Sequence, residues 1–268
     1  MSANKRIVIV TGASSGIGKA AAELFAEQGD TVYGLSRHPQ DSASVLPLAA
    51  DVTDEAQVLD AVNRIIAEQG RVDVLVNNAG SGISGAFEFQ TDEEIRKQFE
   101  VCLLGIAHCT RAVLPHMRKA GSGMIINISS VAGALSIPFQ SWYSAVKAGV
   151  LSLTEALQNE VRPFGIRVTA ILPGDTKTGF TAARMKNTEG QEIYKALSRS
   201  VASMEHDEQN GMPPETLARR IVSVSRKSNP KARYSCGFKY QFFLLLGAIL
   251  PIRLRNWILG KMYARDRD

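Results

Sequence analysis

The chain is poor in the residues that build metal and disulfide frameworks. Among its 268 residues there are three cysteines, Cys102, Cys109 and Cys236, and four histidines. The cysteine count is odd, no C-x-x-C pair occurs, and no Cys/His cluster has metal-ligand spacing. This argues against a disulfide framework and a structural zinc site, and it fits a reducing compartment. Long apolar runs are missing too. FFLLLGAIL, residues 242–250, stops at Pro251, far short of the roughly 20 residues that span a bilayer. MSANKR leads straight into an apolar strand, so no signal peptide and a cytoplasmic location are expected. No internal repeat of solenoid type and no low-complexity segment interrupts the chain. No metal is expected.

What is present reads as an ordinary globule, 45% apolar and 21% charged, long enough for a large α/β domain. The net charge of +5 is unevenly spread. Residues 226–268 hold ten Lys/Arg against two Asp, whereas the preceding 225 residues hold 21 Lys/Arg against 24 Asp/Glu. The basic character belongs to the tail, which does not describe a nucleic-acid-binding domain.

Strand and helix signals alternate without a linker from residue 5 to 174. KRIVIVT (5–11) is a continuous apolar run, a strand buried on both faces. The glycine turn TGASSGIG (11–18) follows, then a helix that stops at Gly29, then the strand TVYGLSR (31–37). Further strands are expected at 45–53, 71–80, 123–130 and 165–174, with RYSCG (233–237) as a last short one. Helices are expected from Asp54 with Thr53 as cap, over 91–121 with a Thr91/Glu94 capping box, from 141 to about 164, and from Pro214. Right-handed crossovers turn this order into a single doubly wound, Rossmann-type parallel sheet of about seven strands flanked by helices, one domain over 1–268. Residues 175–214 are polar and read as a mobile lid inserted over the sheet edge.

Between a strand and a helix, Gly12 allows a tight turn, while Gly16 and Gly18 let backbone amides approach a pyrophosphate. At the end of the second strand, Ser36 offers no repulsion to a 2′-phosphate and Arg37 can pair with one. NADP(H) is therefore expected over NAD(H). In QSWYSAVKAG (140–149), Tyr143 and Lys147 lie one helical turn apart. A fixed ammonium would favour the phenolate, pull the phenol's pKa down toward neutral pH and make an acid/base pair; a solvated helical pair is the plainer alternative. The tail, 238–268, leaves three readings open: packing on the core or on another subunit, lining a lipophilic pocket, or peripheral contact with an anionic membrane.

Together, TGASSGIG, DVT (51–53), NNAG (77–80), Ser130, Tyr143-x-x-x-Lys147 and PGDTKT (173–178) resemble the short-chain dehydrogenase/reductase family over roughly residues 5–180. The resemblance implies that Tyr143 is the general acid/base, that Lys147 lowers its pKa and holds the nicotinamide ribose, and that Ser130 holds the substrate oxygen. Ser129 competes for that last role, and the thirteen-residue spacing to Tyr143 favours Ser130. The implied cofactor set is Gly12, Ser14, Ser15, Gly16, Ile17, Gly18, Arg37, Asp51, Val52, Asn78, Gly80, Tyr143, Lys147, Pro173, Gly174 and Thr178. Asp51 and Val52 would meet the adenine, Asn78 the adenosine ribose, and Thr178 the carboxamide. One position departs from the pattern. Where many members carry an asparagine on the long helix, this chain has Cys102, which leaves either a backbone carbonyl and water as the proton route to Lys147 or a slower relay. His108 and His116 read as structural or interfacial. His206 in the lid and Trp142 beside Tyr143 are secondary candidates for substrate contact.

The expected activity is oxidoreduction of a ketone/secondary alcohol pair with NADP(H), on a lipophilic small molecule such as a steroid, retinoid or fatty acyl ketone, by a homodimer or homotetramer. A nucleotide-sensing protein with a weakened site, or a membrane-surface protein using the fold as scaffold, are the alternatives from other classes.

Overall fold

The computed structural model describes residues 5–264. Residues 1–4, part of the segment that argued against a signal peptide, and 265–268 of the tail lie outside the described residues. In chain order the elements are β1 (Ile7–Thr11), α1 (Gly16–Glu27), β2 (Thr31–Ser36), β3 (Leu46–Ala49), α2 (Glu55–Gln69), β4 (Val74–Asn77), β5 (Ile83–Ser84), α3 (Asp92–Phe99), a π-helical turn (Glu100–Leu104), α4 (Gly105–Ala120) and β6 (Gly123–Ile128). There follow α5 (Ser141–Val161), β7 (Ile166–Leu172), α6 (Phe180–Ala183), β8 (Met185–Lys186), α7 (Ala196–Gln209), α8 (Pro214–Ser225), β9 (Arg233–Ser235), α9 (Phe238–Ile249) and α10 (Ile252–Tyr263).

The unbroken apolar run of β1 is explained by its two faces. Ile7 and Ile9 pack into a core with Val58, Val62 and Ile65 of α2 and Cys109, Val113 and Met117 of α4. Val8 and Val10 pack into a second core with Ala21, Ala22 and Phe25 of α1 and Leu217, Ala218 and Ile221 of α8. Helices cover both sides, so no position in the strand faces water. Seven parallel strands take the order β3-β2-β1-β4-β6-β7-β9. The order reverses between β1 and β4, and the carboxyl ends of the strands there are where such sheets take ligands.

Several local expectations are corrected. Asp54, not Thr53, caps α2, accepting from the Ala56 and Gln57 amides; Thr53 is turned back to donate to Asp51 Oδ1 at 2.8 Å. The Thr91/Glu94 capping box is present. The expected single helix over 91–121 is broken by the π-helical turn at 100–104. Close packing accompanies the break: a Cβ on Gly105 would lie 2.8 Å from Val52 Cγ2, and Cys102 is drawn inward to the Gly80–Ser81 loop.

Residues 175–214 are a packed cap rather than a loose one. β5 and β8 form a small parallel pair that no sequence pattern suggested. Arg184 is buried against Glu208, and Thr181 donates to the same carboxylate at 2.7 Å. The tail forms a helical hairpin, α9–α10. Among the described residues no helix is long and apolar enough to cross a membrane.

Gly18 shows how tightly the first crossover is built. A Cβ there would fall 2.3 Å from the Gly12 carbonyl oxygen and 2.4 Å from Asn78 Nδ2. Gly179 has open space around it and an ordinary φ. Gly18→Ala should therefore cost about 1–3 kcal/mol by urea unfolding, whereas Gly179→Ala should stay within about 0.5 kcal/mol of the parent; equal costs would contradict the packing.

Candidate active site

The site is built on the junction of β6 and α5. Ser129, just past β6, is buried, and its Oγ donates to the Lys147 backbone carbonyl at 2.7 Å. Gly133 presses on the same spot, since a Cβ there would lie 2.7 Å from Lys147 C and O. These contacts fix the turn of α5 that carries Tyr143 and Lys147. The Lys147 ammonium donates to the Ile128 carbonyl at 2.9 Å and sits 5.9 Å from the Tyr143 ring centroid. Phe139, just before α5, holds a left-handed φ of 62°. Its carbonyl accepts from the Gly85 amide at 2.9 Å, which retains a conformation costly for a bulky residue.

The two adjacent serines divide by geometry. Ser129 is an anchor for α5. The Ser130 Oγ accepts from the Ala132 amide at 3.1 Å, which leaves its own proton free, and the hydroxyl stabilises the Tyr143 phenolate.

Burial acts on the Tyr143 phenol in the direction opposite to the lowering expected from Lys147. Burial pushes the phenol up, Ser130 opposes this, and Cys102 and Glu208 push it up further. The Lys147 ammonium is pushed down, also by burial. The sequence spacing set the two residues on one face but said nothing of desolvation, which dominates here.

One cleft of about 1340 Å³ is lined by Ser130, Tyr143 and Lys147 and by Gly12, Ser14, Ser15, Gly16, Ile17, Arg37, Asp51, Val52, Asn78, Gly80, Pro173, Gly174 and Thr178. Gly18 lies beneath it, as a packing residue under the glycine turn. Gly12 and Gly16 have left-handed φ of 66° and 55°. The N-terminus of α1 carries no acidic residue in its first turn and no side-chain cap, so its amides face the cleft electropositive. Across the cleft Thr178 approaches Gly16, where a Cβ would meet its side chain at 3.3 Å. This cradle fits the phosphates of a dinucleotide.

Asn78, expected at the adenosine ribose, lines the cleft and has a further role. Its Nδ2 donates to the Thr11 and Gly12 carbonyls at 2.9 and 3.3 Å, so the side chain braces the glycine turn. Thr11 Oγ1 accepts from the Asn78 and Ala79 amides, each at 3.0 Å. Asp51 Oδ1 accepts from the Thr53 amide and hydroxyl. Arg37 is exposed at the end of β2 and makes no salt bridge among the described residues.

Cys102 Sγ takes the Ser81 amide at 3.3 Å and Gln98 Nε2 at 3.2 Å. It serves the loop after β4, and the backbone carbonyl at Lys147 is that of Ile128. Trp142 is turned away from the cleft, stacking on Phe87 with ring centroids 5.0 Å apart. His206 is exposed and approaches Asn210. His108 Nδ1 donates to the Val52 carbonyl at 2.9 Å, a structural role.

Residues not anticipated complete the site. Phe180 of the cap packs on Tyr143 with centroids 5.9 Å apart, and Arg184 lies over the Phe180 ring. Tyr240 of α9 donates to Asp175 Oδ2 at 2.6 Å and covers Gly174, where a Cβ would lie 2.3 Å from its ring. Asp175 and Tyr240 are 65 residues apart, and nothing local in either segment announces the pair.

A doubly wound parallel sheet with a glycine cradle and a Ser/Tyr/Lys group at its carboxyl edge is the constellation of a nicotinamide-dependent oxidoreductase. The short chain dehydrogenase family model matches residues 6–189, and the chain belongs to that family. It is 43% identical over 264 residues to a 3-ketodihydrosphingosine reductase of Bacteroides thetaiotaomicron, covering 97% of this chain and 98% of that one. Among solved structures, a short-chain dehydrogenase from Streptomyces avermitilis superposes with a TM-score of 0.86 at 35% identity, over 97% of this chain and 98% of that one. A 3-ketoacyl-(acyl-carrier-protein) reductase from Brucella melitensis, solved with NADH, gives 0.73 at 27% identity, over 86% of this chain and 95% of that one.

All three cysteines are buried and unpaired, and burial pushes the Cys109 thiol up to about 12. A thiol reagent such as Ellman's should modify none of them in the native protein and all three after denaturation. Prompt labelling of any native thiol would contradict that burial, and labelling of Cys102 in particular its placement beneath the loop.

Proposed function

We propose that the chain is an NADP(H)-dependent reductase that interconverts a ketone and a secondary alcohol on a long, lipophilic substrate. The observation that carries this reading is that one cleft joins the glycine cradle, the Ser130/Tyr143/Lys147 group and an apolar wall from α9 and α10, with Phe243, Leu246, Leu250 and Leu259 among its residues. The ketone and lipid in the name of the Bacteroides relative support it. When bound, the nicotinamide supplies or accepts the hydride.

The chain's own residues handle the oxygen and the proton. Burial keeps Tyr143 protonated at neutral pH, the form required to donate to a carbonyl oxygen as it gains negative charge. The free Ser130 proton would hold that same oxygen. Lys147, fixed by Ile128, would present its remaining protons to the cofactor ribose. Gly12, Ser14, Ser15, Gly16 and Ile17 would hold the phosphates, Asp51 and Val52 the adenine, and Thr178 with the backbone of Pro173 and Gly174 the carboxamide. Arg37, unpaired at the end of β2, would hold a 2′-phosphate, which is the basis for preferring NADP(H) although the Brucella relative is solved with NADH.

Tyr143→Phe should lower kcat for ketone reduction by about 10²–10⁴-fold while leaving the Kd for NADPH within a few-fold. In the parent, reduction should stay level from about pH 6 to 9 because the raised phenol remains protonated, and alcohol oxidation, which needs the phenolate, should climb with pH across the same range. Retained turnover in the variant would refute the role of Tyr143.

Arg37→Asp should weaken NADPH by about 10–100-fold relative to NADH, the worth of one charge-assisted contact. Equal losses for the two nucleotides in a fluorescence titration would sink the NADP(H) assignment.

A further inference from the structure

The α9–α10 hairpin is apolar on two faces. Its inner face, with Tyr240, Phe243, Leu246 and Leu250, lines the cleft. The outer face of α9 carries Phe238, Phe242, Leu245 and Ile249 at helical spacing, and they are 84%, 47%, 58% and 70% exposed. Neither helix has a fully buried residue. A helix that is apolar all round belongs either inside a protein or in contact with lipid, and here one side remains uncovered.

The charge around that side identifies what covers it. Residues 238–263 hold Lys239, Arg253, Arg255 and Lys261 and no acidic residue. None of the three cations on α10 pairs with a carboxylate among the described residues. Arg253 and Lys261 are exposed, and Trp257, 56% exposed, carries the Lys261 ammonium 3.7 Å above its ring. Apolar stripe, exposed tryptophan and unpaired cations together are the composition of a segment lying at a bilayer interface. A second copy of the chain fits poorly. A two-fold interface presents the same patch from both subunits, and among the described residues this patch would set cations against cations with no acid of α9 or α10 to receive them. Each helix is 12 residues long, about 18 Å, which suits lying in the interface and is too short to cross it.

We propose that the outer face of α9–α10 docks on an anionic lipid bilayer, with Phe242, Leu245, Ile249 and Trp257 entering the headgroup region and Arg253 and Lys261 meeting lipid phosphates. The inner face of the same hairpin forms the cleft wall, and Tyr240 pins it to the Asp175 loop. Docking therefore sets the apolar end of the cleft against the membrane from which a lipid ketone would come. That purpose rests on the functional reading above; the docking itself does not.

The test is flotation of the full chain with vesicles of phosphatidylcholine alone and of phosphatidylcholine with about 30% phosphatidylglycerol. The protein should float with the anionic vesicles and be released when salt rises from about 0.1 to 0.5 M. The triple variant Arg253→Glu, Trp257→Ala, Lys261→Glu alters no residue of the cleft. It should float at least about tenfold less at equal lipid, with its circular dichroism spectrum and its turnover of a water-soluble ketone unchanged. Failure of the parent to float, or flotation of the triple variant like the parent, overturns the proposal. So does a parent dimer that ignores vesicles and falls apart in the triple variant, which would assign the face to a second copy. Flotation by a protein that reduces no ketone would uphold the docking and overturn the catalytic reading, so the two fail separately.

Discussion

The geometry of the site depends on how α5 is held to the end of β6. Ser129 takes the Lys147 carbonyl, Ile128 takes the Lys147 ammonium, and Gly133 allows the intervening turn to lie directly on the helix backbone. An ammonium buried this deeply is costly unless its protons are used, so the Ile128 carbonyl determines where Lys147 can sit. Tyr143, one turn earlier, is placed by the same constraint, and its neighbour Phe180 closes the other side. A polar network extends the clamp across the sheet. Asn77 donates to Asn127 and Thr110, and Asn127 donates to Thr154, so α4 and α5 are locked to the strands whose ends form the cleft. Buried donors that find partners in this way favour one arrangement of the helices, although the Asn77 Oδ1 is itself left without a partner.

Three separate parts of the chain converge on that edge. The glycine turn after β1 brings backbone amides, and Thr11 with Asn78 holds it against the loop after β4. The cap between β7 and α8 brings Phe180 and the Arg184–Glu208 pair, whose opposite charges act on Tyr143 in opposite directions. The hairpin brings an apolar wall and the Tyr240–Asp175 contact. The parallel sheet makes this convergence unavoidable, because every strand ends on the same side and every return connection lies on a face. What varies is the content of the last two parts, and in this chain both face the cleft with aromatic and aliphatic groups.

Much of this was legible in the linear chain, for identifiable reasons. The run IVIVT could only be a strand covered on both sides, and the glycines at 12, 16 and 18 could only serve a turn between strand and helix. Tyr143 and Lys147 shared a face by spacing alone. Other features were not legible. The π-helical turn runs into Gly105, which packs closely on Val52 some fifty residues away. The β5–β8 pairing joins residues 83–84 to 185–186, strands too short to show a pattern. Trp142 was attractive by adjacency to Tyr143, yet one step along a helix turns a side chain by about 100°, and it stacks on Phe87 instead. Nothing local to Asn78 showed that its Nδ2 also braces the glycine turn.

By itself, then, the sequence determined the main alternation of strands and helices, the parallel sheet they form, the glycine turn and the shared face of Tyr143 and Lys147, because these rest on periodicity, on backbone permissiveness and on spacing within single elements; Ser130 and the roles within the group came from the family resemblance. The tertiary structure alone decided what each of the two serines bonds to, that burial works against the lowering of the Tyr143 phenol expected from Lys147, that Cys102 serves the Ser81 loop, and that the basic, apolar tail folds into a hairpin with one face on the cleft and the other uncovered. Those outcomes turn on desolvation and on contacts between segments distant in the chain, and neither is written in any local stretch of residues.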